Sequence, residues 1–201
     1  MHARTGVVIF GLLASRSSVP RDFYRYPTEL IVMESSVTAE KARQAITLFR
    51  NAVNLIRLLQ RSAIPRWSDG LTTWFSDKRP PDDRDETPFY NDAELERYRE
   101  ARVWLKRSIE LNPYFPDAYL LLGNAFAEID SDFDTMLAYY DKALALDPDN
   151  DEFHNARMAH YLTTGRLNLA LDDLLHLERL QSGYAESMRE HYESAVECGE
   201  K

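Results

Sequence analysis

Pro113 and Pro148 stand 35 residues apart, each at the end of a run whose apolar residues recur at helical spacing. Proline ends a helix because it has no N–H to give and its ring collides with the preceding turn. A period of roughly 20–50 residues limits the architecture more than any composition does, because one such unit cannot bury its apolar face alone and must stack on a neighbour. The chain is therefore expected to be all-α, a short right-handed superhelical array of antiparallel helix pairs.

The clearest unit is 116–150, PDAYLLLGNAFAEIDSDFDTMLAYYDKALALDPDN. Tyr119 is a large aromatic, Leu122 and Gly123 form a pair one turn on, and Phe126 follows. In the second half Tyr140 and Ala143 are a large and a small packing residue, and Pro148 closes the helix. Two helices with broad apolar stripes can lie close where one presents a small residue, here Gly123 and Ala143. This pattern resembles the tetratricopeptide repeat. The departures are Met136 in a place that is usually Ala, and one residue more than the usual unit of about 34, with the excess expected in the turn 130–134.

Downstream, 151–181 reads as a second, degenerate unit with Tyr161, Gly165 and Ala170 at the aromatic, turn and small positions. His154 replaces the large aromatic and Arg157-Met158 replaces Leu-Gly, so a less regular pairing is expected there. Upstream, Asp92 to Pro113 reads as a second helix with Ala101, Leu105 and Ser108 inward. Its first helix is expected at Ala39–Arg61, where Ala42, Ala45, Ile46, Phe49, Ala52, Val53, Ile56 and Leu59 recur at i, i+3, i+4, i+7. Thr38 is its N-cap candidate. The expected organisation is an N-terminal arm at 1–37, a helical domain at 38–181 with an insertion at 62–91, and a capping helix at 182–201 that turns Tyr184, Met188, Tyr192 and Ala195 inward.

Several function classes are disfavoured. A formal charge of −9 and a pI near 5.1 oppose a phosphate backbone, which needs clustered Lys and Arg; nucleic acid is not an expected partner. The longest apolar run, Gly6 to Ala14, is about half the roughly 20 residues of a membrane span. With its basic, Ser-containing surroundings it has some character of a signal or organellar import segment, so the arm is expected either to be removed or to dock on a partner or on Ile46, Phe49 and Val53. Cys198 is the only cysteine and can form no intrachain disulfide, which favours a thiol-reducing compartment such as the cytoplasm, with a mitochondrion or other organelle left open.

Chemistry finds little footing. The run Asp130, Asp132, Asp134 has alternate carboxylates but puts Thr135 and Asp141 where a calcium loop needs Gly and Glu. These acids, with Asp147, Asp149 and Asp151, are expected to cap helices. No two histidines stand at the i, i+4 separation of zinc helices, and Cys198 has Glu197 and Glu200 beside it rather than cations. No metal, no cofactor and no catalytic constellation is expected.

What remains is protein binding, which the resemblance also implies. The groove-facing side of the clear unit carries Asp117, Leu120, Leu121, Asn124 and Ala127; the next offers Glu152, Asn155, Ala156, Ala159 and Leu162. Without cations this face does not suit an acidic chaperone terminus and suits an apolar or basic segment. Trp67, Trp74 and Phe75 in the insertion are further docking candidates, although large aromatics are also common as buried payload. The expected function is a scaffold, adaptor or assembly factor; the alternative is a permanent subunit of a large complex, docked through the arm and the insertion.

Overall fold

A computed structural model describes residues 37–74 and 90–199, with side chains at 37–62 and 90–197. The described residues form seven helices: α1 Ala39–Trp74, α2 Asp92–Leu111, α3 Pro116–Asp130, α4 Phe133–Leu146, α5 Asp151–Thr163, α6 Leu167–Arg179 and α7 Ala185–Gly199. The fold is an all-α array of helix pairs. Its contacts divide into two compact units, one holding α1 and α2 and the other holding α3 to α7.

In the first unit α1 packs along α2. The Thr38 hydroxyl accepts the Lys41 N–H at 3.3 Å, and Ala45, Phe49, Ala52, Val53, Ile56 and Leu59 are buried. Against them stand Tyr98, Ala101, Leu105 and Ser108, the last donating its hydroxyl to the Ala45 carbonyl at 2.9 Å. A buried serine is tolerated because that bond leaves no polar atom stranded. Asn91 caps α2 by accepting from the Glu94 N–H while Glu94 accepts from the Asn91 N–H, a reciprocal box at 3.0 and 2.9 Å. One boundary is corrected: α1 does not stop at Arg61 but continues to Trp74, passing Pro65, which takes from the Arg61 carbonyl its usual donor. Much of the expected insertion is thus helix.

The second unit is built from the pairs α3–α4 and α5–α6, with α7 against both α5 and α6. Its core holds Leu120, Met136, Leu137, Tyr140, Ala143, Leu144, Phe153, Met158, Tyr161, Ala170, Leu174 and Leu177, with Tyr184, Ala185, Met188 and Tyr192 laid on it from α7. Gly123 sets the approach of α3 to α4. A methyl there would lie 3.0 Å from the Met136 carbonyl oxygen and 3.2 Å from atoms of Tyr139 and Tyr140. The added residue of the unit falls in the turn, where Ser131 takes φ 53° and Asp132 caps α4 through the Thr135 N–H at 3.0 Å. The next cap is not an acid: Asn150 accepts the Phe153 N–H at 3.3 Å, because it, not Asp149 or Asp151, occupies the flanking position.

The irregular residues of the second repeat satisfy one another. Asp173, fully buried on α6, receives Nε and one terminal nitrogen of Arg157 at 3.1 and 2.8 Å and faces His154 Nδ1 at 2.7 Å. The other His154 nitrogen faces the Pro148 carbonyl at 2.9 Å, and Arg157 also reaches Asp141 on α4 at 2.7 Å. Burial opposes the Arg157 charge, but the bonds from Asp173 outweigh it and raise its pKa above the ordinary arginine value. A polar network thus takes the place of an aromatic-leucine contact.

Two outcomes follow for stability. Gly123→Ala gains about 1 kcal/mol of helix propensity, yet the methyl meets backbone that cannot swing away, so a net loss of about 1–2 kcal/mol is expected in urea unfolding. Asp173→Ala strands two donors and should cost about 3–5 kcal/mol, whereas His154→Tyr, Arg157→Leu and Asp173→Leu together should recover most of it.

Candidate functional site

Asp117 and Glu152 stand 35 residues apart, each second in the first helix of its repeat. Equivalent positions of consecutive repeats lie side by side, and the Glu152 carboxyl feels the charge of Asp117. From these residues the stripe on α3 runs through Leu121, Asn124 and Glu128, and that on α5 through Asn155 and Ala159.

The named binding residues divide sharply by burial. Leu120 is 4% exposed and packs among Met136, Leu137 and Phe153. It is a core residue, held inside the unit by apolar contacts, and a change there tests folding before binding. Leu121, Asn155 and Ala159 are also buried. Asn124 is half-buried and accepts a bond from the Tyr140 hydroxyl, which ties it to α4. Trp67 and Trp74 lie on the course of α1 with side chains outside the described residues. Phe75 lies outside them entirely, as do the apolar run 6–14 and the cluster 23–26.

The electrostatics of this face come from carboxyls without counter-charges. Burial pushes Asp117 up to about 6, Asp147 adding to the effect against a bond from its own backbone. Glu152 rises to about 7, through burial first and then the charges of Asp117 and Asp151. Glu128 rises to about 8 through burial alone. It is absent from the sequence reading, although its place seven and eleven residues beyond Leu121 and Asp117 marks the same stripe. The Glu152 Oε1 and Asn155 Oδ1 atoms are buried with no hydrogen-bond partner.

His160 is a second feature that periodicity does not reveal. Its ring is buried, stacks on Phe133 at 5.2 Å and has a partner at neither nitrogen. Burial, helped by Arg166, lowers its pKa to about 4. No group of three His, Cys, Asp or Glu among the described residues is placed to hold a metal ion. Nor is any described helix long and apolar enough to cross a membrane.

Two family models match the chain: one described as a TPR repeat over residues 92–130, and one described as a tetratricopeptide repeat over residues 116–150. The chain is also similar to a UDP-N-acetylglucosamine–peptide N-acetylglucosaminyltransferase of Giardia intestinalis, 40% identical over 67 residues. That match covers 31% of this chain and 4% of the transferase, so the chain spans a small fraction of the length of that relative.

The shifted groups fix the sign of the pH dependence. A carboxyl raised in the folded state holds a proton that the unfolded chain releases, so Asp117, Glu128 and Glu152 cost stability at high pH and cost less as pH falls toward their ordinary values. His160 acts oppositely, because its lowered pKa is lost as stability when pH falls from about 6.5 toward 4. Thermal stability should therefore rise as pH falls from 8.5 to about 4.5, the three carboxyls together outweighing His160, whose opposing effect makes the rise shallower below about pH 6.5. Glu152→Gln should flatten the rise near pH 7 and lift the pH 8 melting temperature by about 2–4 °C, the shift that roughly 1 kcal/mol gives a chain of this size.

Proposed function

Because the chain belongs to the tetratricopeptide-repeat superfamily and carries a protein–protein interaction module, we propose that it works without catalysis, as a scaffold or adaptor. It holds a peptide or helix of a partner protein on the concave face built by α3 and α5, with α7 closing the array at its far end. The observation that carries this reading is the set of unsatisfied polar atoms on that face. Glu152 and Asn155 each bury an acceptor that no group of the described residues reaches. A buried acceptor without a donor costs about 1–3 kcal/mol, a cost that a bound segment with N–H groups removes.

The face also has apolar depth. Leu121 and Ala159 lie beneath it, and burying two apolar side chains of a partner contributes about 1.5–3 kcal/mol each before ordering costs.

Photo-crosslinking tests the face. With p-benzoylphenylalanine in place of Glu128, irradiation in the native cell should give a discrete heavier adduct. The same group in place of Leu175, exposed on α6, should give none. Adducts from Leu175 and none from Glu128 would move the interaction to the opposite side and sink this reading.

A further inference from the structure

We propose that the Asp117–Glu152–Asn155 corner of the second unit is a receptor for one cationic side chain, an arginine or lysine on a segment of the partner protein. This deepens the groove reading above and rests on it. Three observations converge.

The first is that the corner contains acceptors and no donor aimed at them. Glu152 Oε1 and Asn155 Oδ1 are buried and unpaired, and Asn155 as a whole is only 4% exposed. Asn155 follows Glu152 by one helical turn on the same stripe, so the two acceptors share one place. A ligand that satisfies both must bring hydrogen-bond donors.

The second is that every charge felt by these carboxyls is negative. Asp117 feels Asp147; Glu152 feels Asp117 and Asp151; Tyr184, which packs from the α7 side, feels Glu152 and Asp151. Asp147 takes the Asn150 amide at 2.9 Å and Asp151 the Ser182 hydroxyl at 2.7 Å, both neutral donors. Arg179, the cation of this neighbourhood, is held by Asp149 at 2.8 Å. A proton or an incoming cation is what relieves such a set, and the raised pKa values show that the free protein uses protons.

The third is the floor. Leu121 and Ala159 are buried apolar residues on the same helix stripes, so the corner is backed by a poorly solvated layer in which a cation and a carboxylate attract each other more strongly than in water. Arginine fits best, because its planar fork can serve a carboxylate and the Asn155 oxygen together. Docking ionises Asp117 and Glu152, so the protons they hold leave for solvent as the cation arrives.

Calorimetry on the full chain with octa-arginine and octa-citrulline as probes, at physiological salt, tests this. Octa-arginine should bind, octa-citrulline should not, and at pH 7 the heats in phosphate and Tris should differ by the ionisation heat of released protons. Asp117→Asn with Glu152→Gln should weaken octa-arginine at least tenfold and abolish the proton release. A surface pair with the same charge change, Glu100→Gln with Glu186→Gln, should alter neither. Equal loss in both pairs would mean attraction to the net charge alone and would overturn the proposal, as would failure of octa-arginine to bind. If binding appears only after Arg16→Gln, Arg21→Gln and Arg25→Gln, the corner is occupied by the chain's own arm and the proposal of a separate partner is wrong. The crosslinking at Glu128 needs no cation, so adducts there without octa-arginine binding would leave the groove standing and remove this corner from it.

Discussion

The contact of Gly123 with the Met136 backbone decides what the second unit can be. Two helices pack by setting side-chain ridges into grooves, and their separation is fixed by the largest group at the crossing. With no side chain at Gly123, that group is the carbonyl oxygen of Met136, 3.0 Å from where a methyl would stand. The closeness explains why Met136 is tolerated where the repeat usually has Ala. Its side chain is buried in the core, and it is the backbone carbonyl of Met136 that faces Gly123. The aromatics on either side take up the remaining space, Phe126 stacking on Tyr139 with centroids 5.6 Å apart. Tyr140 hydroxyl then finds Asn124, a polar atom of the opposite helix that a wider spacing would put out of reach.

The next repeat solves the same problem differently. Met158 stands where Gly123 stands, and it is wholly buried, so the pair α5–α6 cannot be closed by backbone contact alone. The network of His154, Arg157 and Asp173 supplies directional contacts instead, and through Asp141 it also joins α5 to the preceding α4. Buried ionic groups seldom stabilise more than apolar ones would, since desolvation cancels most of their attraction. Their effect here is on register: a slide of α6 along α5 would separate Asp173 from both of its partners, whereas leucine contacts tolerate such a slide.

What was legible in the sequence was the part governed by period. The stripe of α1, the inward residues of α2, Gly123, Ala143, Pro148 and, at α7, Tyr184, Met188 and Tyr192 follow from spacing and lie where spacing puts them, whereas Ala185, not Ala195, completes the last set on the core. Spacing could not reveal Asp173 as the partner of His154 and Arg157, because the pairing joins residues on two helices and its members looked individually like faults in the pattern. Nor could it show that Leu120 packs in the buried cluster with Phe153, since a first-helix position can face a groove or a neighbouring helix. The end of α1 was missed because the apolar stripe that marks the helix ends at Leu59, whereas the backbone continues helical to Trp74, past Pro65, since a proline removes one bond from a helix and does not forbid its continuation. The acids at Asp117 and Glu152 were seen, while the cost of their position was not, because burial is a property of neighbours.

That cost bears on how such a face behaves before anything binds. Helix starts ordinarily favour acids, since the positive end of the backbone dipole lowers their pKa. At Asp117 and Glu152 burial overcomes this, and both pKa values move upward. Near neutral pH the free protein therefore holds a mixture of protonated and ionised corners, and among the described residues the charges that act on them are negative. A neutral residue at either position would carry no charge into a poorly solvated place. Carboxylates there act against the stability of the free chain, and what they offer in return is a strong attraction for a complementary group that arrives with its own charge. Since that attraction grows as the corner dries, a segment that covers Leu121 and Ala159 strengthens the ion pair it brings. Apolar coverage and charge pairing on this face are consequently coupled, and neither can be assigned an independent share of the binding free energy.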